Sequence, residues 1–274
     1  MLERPIPADG TLLPVVGLGT WQTFDVGRSA ADRAPLREVL RRFAALGGRV
    51  VDSSPMYGEA EAVVGDLATE LGLYPTLFVA TKVWTHGREA GIAQMERSRR
   101  QLRVDHLDLL QIHNLVDWST HLGTLREWKA AGRVRYIGVT HYTASAYGEL
   151  ERIMRSEPLD FVQLNYSLAE RDAENRLLPL AAERGIAVLA NRPYAEGALF
   201  RRVKGRALPP WAAELDCKSW GQFFLKWIIA NSAVTCVIPA TSNPEHLTDN
   251  MGAGLGALPD AAARARMTAY LATL

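Results

Sequence analysis

The sequence predicts an α/β fold, a (β/α)8 TIM barrel formed by residues 1–274 as one domain, with an N-terminal β-hairpin closing its bottom. Three observations carry that expectation: eight short β-rich runs, seven intervening segments of helical period, and a length of 274 residues that the alternation nearly fills. Strands separated by helix-length segments are the mark of βα units and a parallel sheet, and eight of them in about 250 residues is the size of a closed barrel.

In chain order the runs are VVGLGT (15–20), RVVDSS (49–54), LFVATKV (77–83), DLLQIHN (108–114), RYIGVTHY (135–142), FVQLNYS (161–167), AVLANRP (187–193) and TCVIPAT (235–241). Helical period falls at 33–46, 59–71, 91–103, 119–131, 143–156, 173–185 and 219–231, and Gly47, Gly72, Gly132 and Gly185 stand where helices stop. Ahead of the first run, RPIP-ADG-TLLP places a DG turn between two extended pieces, which predicts the hairpin. A doubly wound sheet repeats βα as well, but no GxGxxG follows a strand and opens a helix, and the GAGLG at 252–256 has neither neighbour.

Composition narrows the function. The chain is 48% apolar, and its 31 basic and 30 acidic side chains leave a net charge of +1. Nucleic-acid or anionic-membrane binding normally leaves a basic excess, so neither partner is expected. No apolar run approaches the ~18 residues of a membrane span, and MLERPIPADGTLLPV carries charges and prolines where a signal peptide needs an unbroken apolar stretch, so a cytoplasmic protein is expected. Cys217 and Cys236, with no zinc-like spacing around them, are expected as reduced core residues and no metal is expected. The basic cluster Arg201, Arg202, Lys204 and Arg206 falls in a loop after the seventh run, as a solvated loop or as an anion-binding flap. The short tail after Asn250 predicts a mouth without a long C-terminal lid.

Active sites of such barrels lie at the C-terminal ends of the strands. Asp52 ends the second run, Lys82 the third and His113 the fourth, and Tyr57 follows in SSPMYGEAE; Thr140 and His141 end the fifth, with Gln163 in the sixth. Singly, each suits an ordinary structural role: a helix cap, a snorkelling lysine, a packed tyrosine, a core histidine. Together they bring a carboxylate, an ammonium, a phenol and an imidazole to one cavity. A desolvated Lys82 needs a counter-charge, which Asp52 supplies, and an ammonium beside Tyr57 is expected to lower the phenol from its usual ~10, making it a general acid near neutral pH. Carbonyl reduction wants such an acid and a hydrogen-bonding imidazole, and requires a nicotinamide cofactor for the hydride. A metal-dependent hydrolase built on Asp52, His86, His113 and His141 is the competing chemistry; Lys82 among them opposes it.

On these residues the sequence resembles the aldo-keto reductase family. Asp52, Tyr57, Lys82 and His113 match its catalytic tetrad in VDSSPMYGEAE, ATKVW and LLQIHNLVD, while GLGTW, GVTHY, QLNYS and IPATSNPEHLTDN fall where family motifs fall. The resemblance covers the whole chain. It implies an NADPH- or NADH-dependent oxidoreductase interconverting an aldehyde or ketone and an alcohol, with Tyr57 as proton donor, Lys82 tuning it, Asp52 holding Lys82 and His113 orienting the carbonyl. It also admits a cofactor-holding regulatory or sensor protein with little turnover. Implied cofactor contacts are Thr20, Trp21, Asp52, Thr140, His141, Gln163, Asn191, Arg192, Pro193, Tyr194, Thr241, Ser242, Asn243, His246, Asp249 and Asn250. Implied substrate contacts are Trp21, Phe24, Met56, Trp84, His113 and Trp118.

The chain departs from the family at three places. Thr140 and His141 stand where a serine and an asparagine usually bind the carboxamide, and Asn191 stands where an aromatic often stacks on the nicotinamide, with the planar Arg192 beside it as a substitute. Ala240 and His246 replace the Lys and Arg that commonly grip the adenosine 2′-phosphate, so NAD or dual use stands beside NADP.

Overall fold

A computed structural model describes residues 1–274. It opens with an antiparallel hairpin of β1 (Glu3–Pro5) and β2 (Leu12–Pro14), as the DG turn predicts. Eight parallel strands follow: β3 (Leu18–Gly19), β4 (Val50–Asp52), β5 (Phe78–Val83), β6 (Leu107–His113), β7 (Val134–Thr140), β8 (Phe161–Asn165), β9 (Ala187–Asn191) and β10 (Cys236–Val237), each beside its sequence neighbour. The sheet curls until its ends meet: Gly17 N–H donates to Val237 O at 2.8 Å, Val237 N–H to Val15 O at 2.9 Å, and Gly19 N–H to Pro239 O at 3.1 Å. Gly17 permits the first strand's close approach, because a Cβ there would lie 2.9 Å from Val50 O.

The predicted helices are α1 (Ala30–Ala45), α2 (Ala60–Glu70), α3 (Arg88–Leu102), α4 (Trp118–Ala130), α5 (Tyr147–Ser156), α6 (Leu177–Arg184) and, after a short α7 (Ala198–Arg202), α8 (Trp220–Ile229). The α1 helix starts three residues before the expected position because Ser29 caps it, accepting from Asp32 N–H at 3.1 Å. The cluster expected as a loop is partly helical, with Arg201 and Arg202 in the last turn of α7, and its four cations are exposed. Two further helices complete the chain, α9 (Pro244–Gly252), capped by Asn243, and α10 (Ala261–Ala272), capped by Asp260. The α10 helix packs against α8, where Trp227 Nε1–H donates to Arg264 O, and supplies none of the residues that line the cavity at the barrel mouth. No helix is long and apolar enough to cross a membrane.

Alternation along the strands sorts the interior into layers. Val50, Phe78, Leu109, Tyr136, Phe161, Ala187 and Cys236 fill the lower barrel with an apolar cluster, sealed from below by Ile6 and Leu13 of the hairpin. Two or four residues further along the same inward rows the side chains turn polar: Asp52 after Val50, Lys82 after Phe78, Gln111 and His113 after Leu109, Gln163 after Phe161 and Asn191 after Ala187. The outward rows pack against the helices in a separate core of 64 buried residues, which includes Cys217's neighbours on α8 as well as Cys217 itself.

Candidate active site

Strand register sets the polar layer. Gly19 pairs with Asp52 and Asp52 with Ala80; Lys82 pairs with Gln111; His113 pairs with Thr140 and Thr140 with Gln163. Their side chains meet at the top of the barrel. Lys82 Nζ, fully buried, donates to Asp52 Oδ2 at 2.6 Å and to Ser53 O at 2.7 Å. Asp52 Oδ1 accepts from Gln163 Nε2 at 2.9 Å and from Gln111 Nε2 at 3.4 Å, so its carboxylate is held on three sides. Thr20 Oγ1 donates to Asp52 O at 3.0 Å and ties the first strand end to the second.

Above this pair stand the two rings. Lys82 Nζ lies 5.2 Å from the centre of the Tyr57 ring, and the Tyr57 and His113 rings meet edge to face at 5.6 Å. Burial lowers His113 to a pKa of about 2, helped by Lys82 and His141, so the imidazole is neutral at all working pH. Tyr57 departs from the sequence expectation. Burial pushes its phenol above 10, and the opposing Lys82 charge, already shared with Asp52, does not reverse this. Lys82 is raised: burial opposes its charge, but Asp52 and Tyr57 outweigh that, which keeps the ammonium protonated.

A cavity of about 470 Å³ opens over these rings. Of the predicted contacts, Thr20, Trp21, Asp52, Met56, Tyr57, His113, Thr140, Gln163, Asn191, Arg192, Pro193 and Tyr194 line it. Lys82 sits beneath, reaching it only through Asp52 and Tyr57. Three expected wall residues are placed elsewhere. Phe24 is wholly buried in the core, because its N–H bonds back to Thr20 O and turns the chain inward. Trp84 projects exposed outside the lining, its backbone N–H held by Gln94. Trp118 opens α4, its indole N–H donating to Glu149 and Arg152 packing 5.2 Å from its ring.

Several side chains of the C-terminal segment are hydrogen-bonded within the chain. Asn243 caps α9, Thr241 Oγ1 accepts the Asn243 N–H at 3.0 Å, Asp249 accepts from Ser219 and Gln222, and Asn250 Oδ1 accepts from Tyr194 Oη. Ser242 borders a neighbouring depression with Gln22, Thr23 and Asp32, and His246 stands exposed on the first turn of α9. The His141 ring lies flat against Tyr142, its Nδ1 accepting from Thr143 N–H, and Tyr142 faces the cavity in its place. Sequence reasoning passed over Gln22, Thr23, Asn114, Tyr142, Glu196, Gly197 and Ile238 in the lining, and Ser54 and Gln111 beneath it. Ser54 and Gln111 carried a signal, since each lies two residues from a tetrad member on the same inward row. Gln22 carried none, because its left-handed backbone, at φ 60°, is one that glutamine does not announce, whereas Asn114, at φ 52°, is of a type that favours that region.

The chain is similar to known proteins in sequence and in fold. Residues 15–265 match the model of the aldo/keto reductase family. A methylglyoxal reductase of Escherichia coli is 30% identical over 258 residues, spanning 91% of this chain and 89% of that protein. An aldo-keto reductase of a Mycobacterium species is 31% identical over 253 residues, 88% of this chain and 84% of its own. The crystal structure of an aldo/keto reductase from Klebsiella pneumoniae in complex with NADP and acetate superposes with a TM-score of 0.83 at 25% identity, over 99% of this chain and 96% of that one. The family match over nearly the whole length, with relatives and a superposing structure of the same family, places this chain in the aldo/keto reductase family, as an NAD(P)-dependent oxidoreductase.

Proposed function

We propose that the protein reduces a small-molecule aldehyde or ketone to the alcohol, and runs the reverse reaction, with Tyr57 as the proton donor. The observation that carries this reading is the convergence of Tyr57 and His113 on one cavity wall above a buried Lys82–Asp52 pair. The similar Klebsiella protein was crystallised with NADP, and the cavity here suits a nicotinamide: it extends from the two rings past Thr20 and Trp21 to Tyr194, Gly197 and Ala240. Asn191 Oδ1, buried without a protein donor, offers the acceptor that a carboxamide amine needs. When bound, that cofactor supplies the hydride.

The protein's own residues handle the oxygen. His113, neutral and buried, donates a hydrogen bond to the carbonyl oxygen and strengthens it as negative charge builds. Tyr57 gives its proton to that oxygen, and the Lys82 charge stabilises the phenolate left behind, an interaction largest after transfer and therefore catalytic. Asp52 keeps Lys82 in place and protonated.

The pKa directions fix the pH dependence. Tyr57 is raised above 10 and His113 lowered to about 2, so neither titrates between roughly pH 6 and 9. Reduction kcat is expected to stay flat across that window, since the acid form of Tyr57 is full throughout. Alcohol oxidation needs the phenolate and is expected to climb about tenfold per pH unit over the same range. A bell-shaped reduction profile centred near pH 7 would assign the proton to another group.

The reading is tested by titrating the protein with NADPH and, separately, NADH, following quenching of Trp21 at the mouth, then adding aldehydes and ketones. Ala240 brings no cation to the cavity and His246 stands apart from it, so NADH is expected to bind within about tenfold of NADPH. Installing both cations, with Ala240→Lys and His246→Arg, is expected to shift the affinity ratio toward NADPH by about tenfold or more. An unchanged ratio would place the phosphate elsewhere, and no binding of either cofactor at hundreds of micromolar would overturn the reductase reading.

A further inference from the structure

The His113 ring has one partner whose role the tetrad does not include. Ser54 follows Asp52 by two residues in an extended segment, so its side chain rises on the same inward row. It is wholly buried, and its Oγ lies 2.9 Å from His113 Nδ1 and 3.2 Å from the Met56 amide nitrogen. These two contacts determine where the protons are. The Met56 amide can only donate, so it occupies a lone pair of Oγ. The hydroxyl hydrogen then needs an acceptor, and Nδ1 is the one the structure offers. The opposite arrangement, with Nδ1–H donating to Ser54, would give Oγ two incoming N–H groups and leave its own hydrogen unmatched in a dry interior, which folded proteins avoid.

We propose that Ser54 is a positioning residue of the reductase site: held by the Met56 amide, its hydroxyl donates to His113 Nδ1 and fixes the ring as the Nε2–H tautomer that presents a donor to the carbonyl oxygen. The neutrality of the ring, caused by burial and the Lys82 charge, is what gives the tautomer its meaning, since a neutral imidazole has a single N–H to place. With Nδ1 accepting, that proton sits on Nε2, the nitrogen on the far side of the ring from Ser54, where His113 borders the cavity beside Tyr57. In the other tautomer a lone pair would face the carbonyl oxygen, and the charge building there would be repelled. The same backbone amide that starts the turn toward Tyr57 thus sets the proton on His113, so the loop carrying the acid also orients its companion.

The inference rests on the carbonyl-reductase reading for its consequence but not for its geometry, and the test separates the two. The protein is labelled with 15N-histidine, and the His113 ring signals are assigned by their loss in His113→Asn. Protonated and unprotonated ring nitrogens give well-separated 15N shifts, so the wild type is expected to show Nε2 protonated and Nδ1 bare, unchanged down to about pH 5. In Ser54→Ala the ring signals are expected to move toward a mixture of tautomers, with kcat falling about tenfold and KM held within about twofold. Ser54→Thr keeps the hydroxyl and is expected to restore both the spectrum and kcat. A wild-type ring protonated at Nδ1 would overturn the proposal, as would a Ser54→Ala variant with the wild-type spectrum and kcat. If the wild type reduces no carbonyl, the functional reading fails, and the ring spectrum still decides the tautomer.

Discussion

Replacing Tyr57 by phenylalanine is expected to lower kcat for carbonyl reduction by about 10²- to 10⁴-fold, the range for loss of a positioned general acid. The substitution deletes one oxygen and leaves the ring, which keeps its edge-to-face contact with His113 and its place over Lys82. Cofactor affinity, read by Trp21 quenching, and thermal stability are therefore expected to stay close to wild type. KM is expected to change little, because the proton is given up in the transition state and not on binding. His113 cannot take over the role: a ring held neutral down to about pH 2 carries no surplus proton at working pH, although it can donate a hydrogen bond. Wild-type kcat in Tyr57→Phe would show that the proton comes from solvent or from a side chain outside the tetrad.

The barrel and its site were legible to different depths. Strand alternation was written in the sequence, and because the period is two, knowing that Asp52, Lys82 and His113 end their runs was enough to place them in one layer. The hairpin was legible from its DG turn, and Ile6 and Leu13 plug the barrel as that turn implies. The α9 helix was readable but passed over, since NPE carries a capping Asn and a Pro at the first helical position. The cavity wall was the least legible part. Phe24 and Trp84 lie in loops after strand ends and Trp118 at the first turn of α4, where sequence position fixes the neighbourhood but not the direction of a side chain. The loops turn through left-handed residues, of which Asn114 and Asp117 are of types that favour that region, while Gln22 and Leu115 are not and give no signal. The Tyr57 shift depended on a balance of burial against the Lys82 charge, and depth of burial is a property of the assembled barrel.

Removing the Lys82 charge is expected to have the largest effect on stability of any single change in the site. Lys82 and Asp52 form an ion pair with both side chains out of water, and Lys82 Nζ also satisfies Ser53 O. Lys82→Met keeps most of the stem's volume, so the cost falls on the partner: Asp52 is left in the barrel with Gln163 and Gln111 as its remaining side-chain donors. Breaking a buried pair from one side typically costs about 3–5 kcal/mol, a large share of the roughly 5–15 kcal/mol that holds a domain folded. Urea unfolding should show that loss as a lower midpoint at unchanged slope. The double variant Asp52→Asn with Lys82→Met removes both charges and is expected to recover part of the loss, so that the two single effects sum to more than the double one. Both singles should also lose reduction, which makes stability the readout that separates the pair's structural share from its catalytic one. If Lys82→Met unfolds at the wild-type urea concentration, the Asp52 charge is compensated by its amide donors alone, and the pair is kept for the chemistry of Tyr57 and not for the fold.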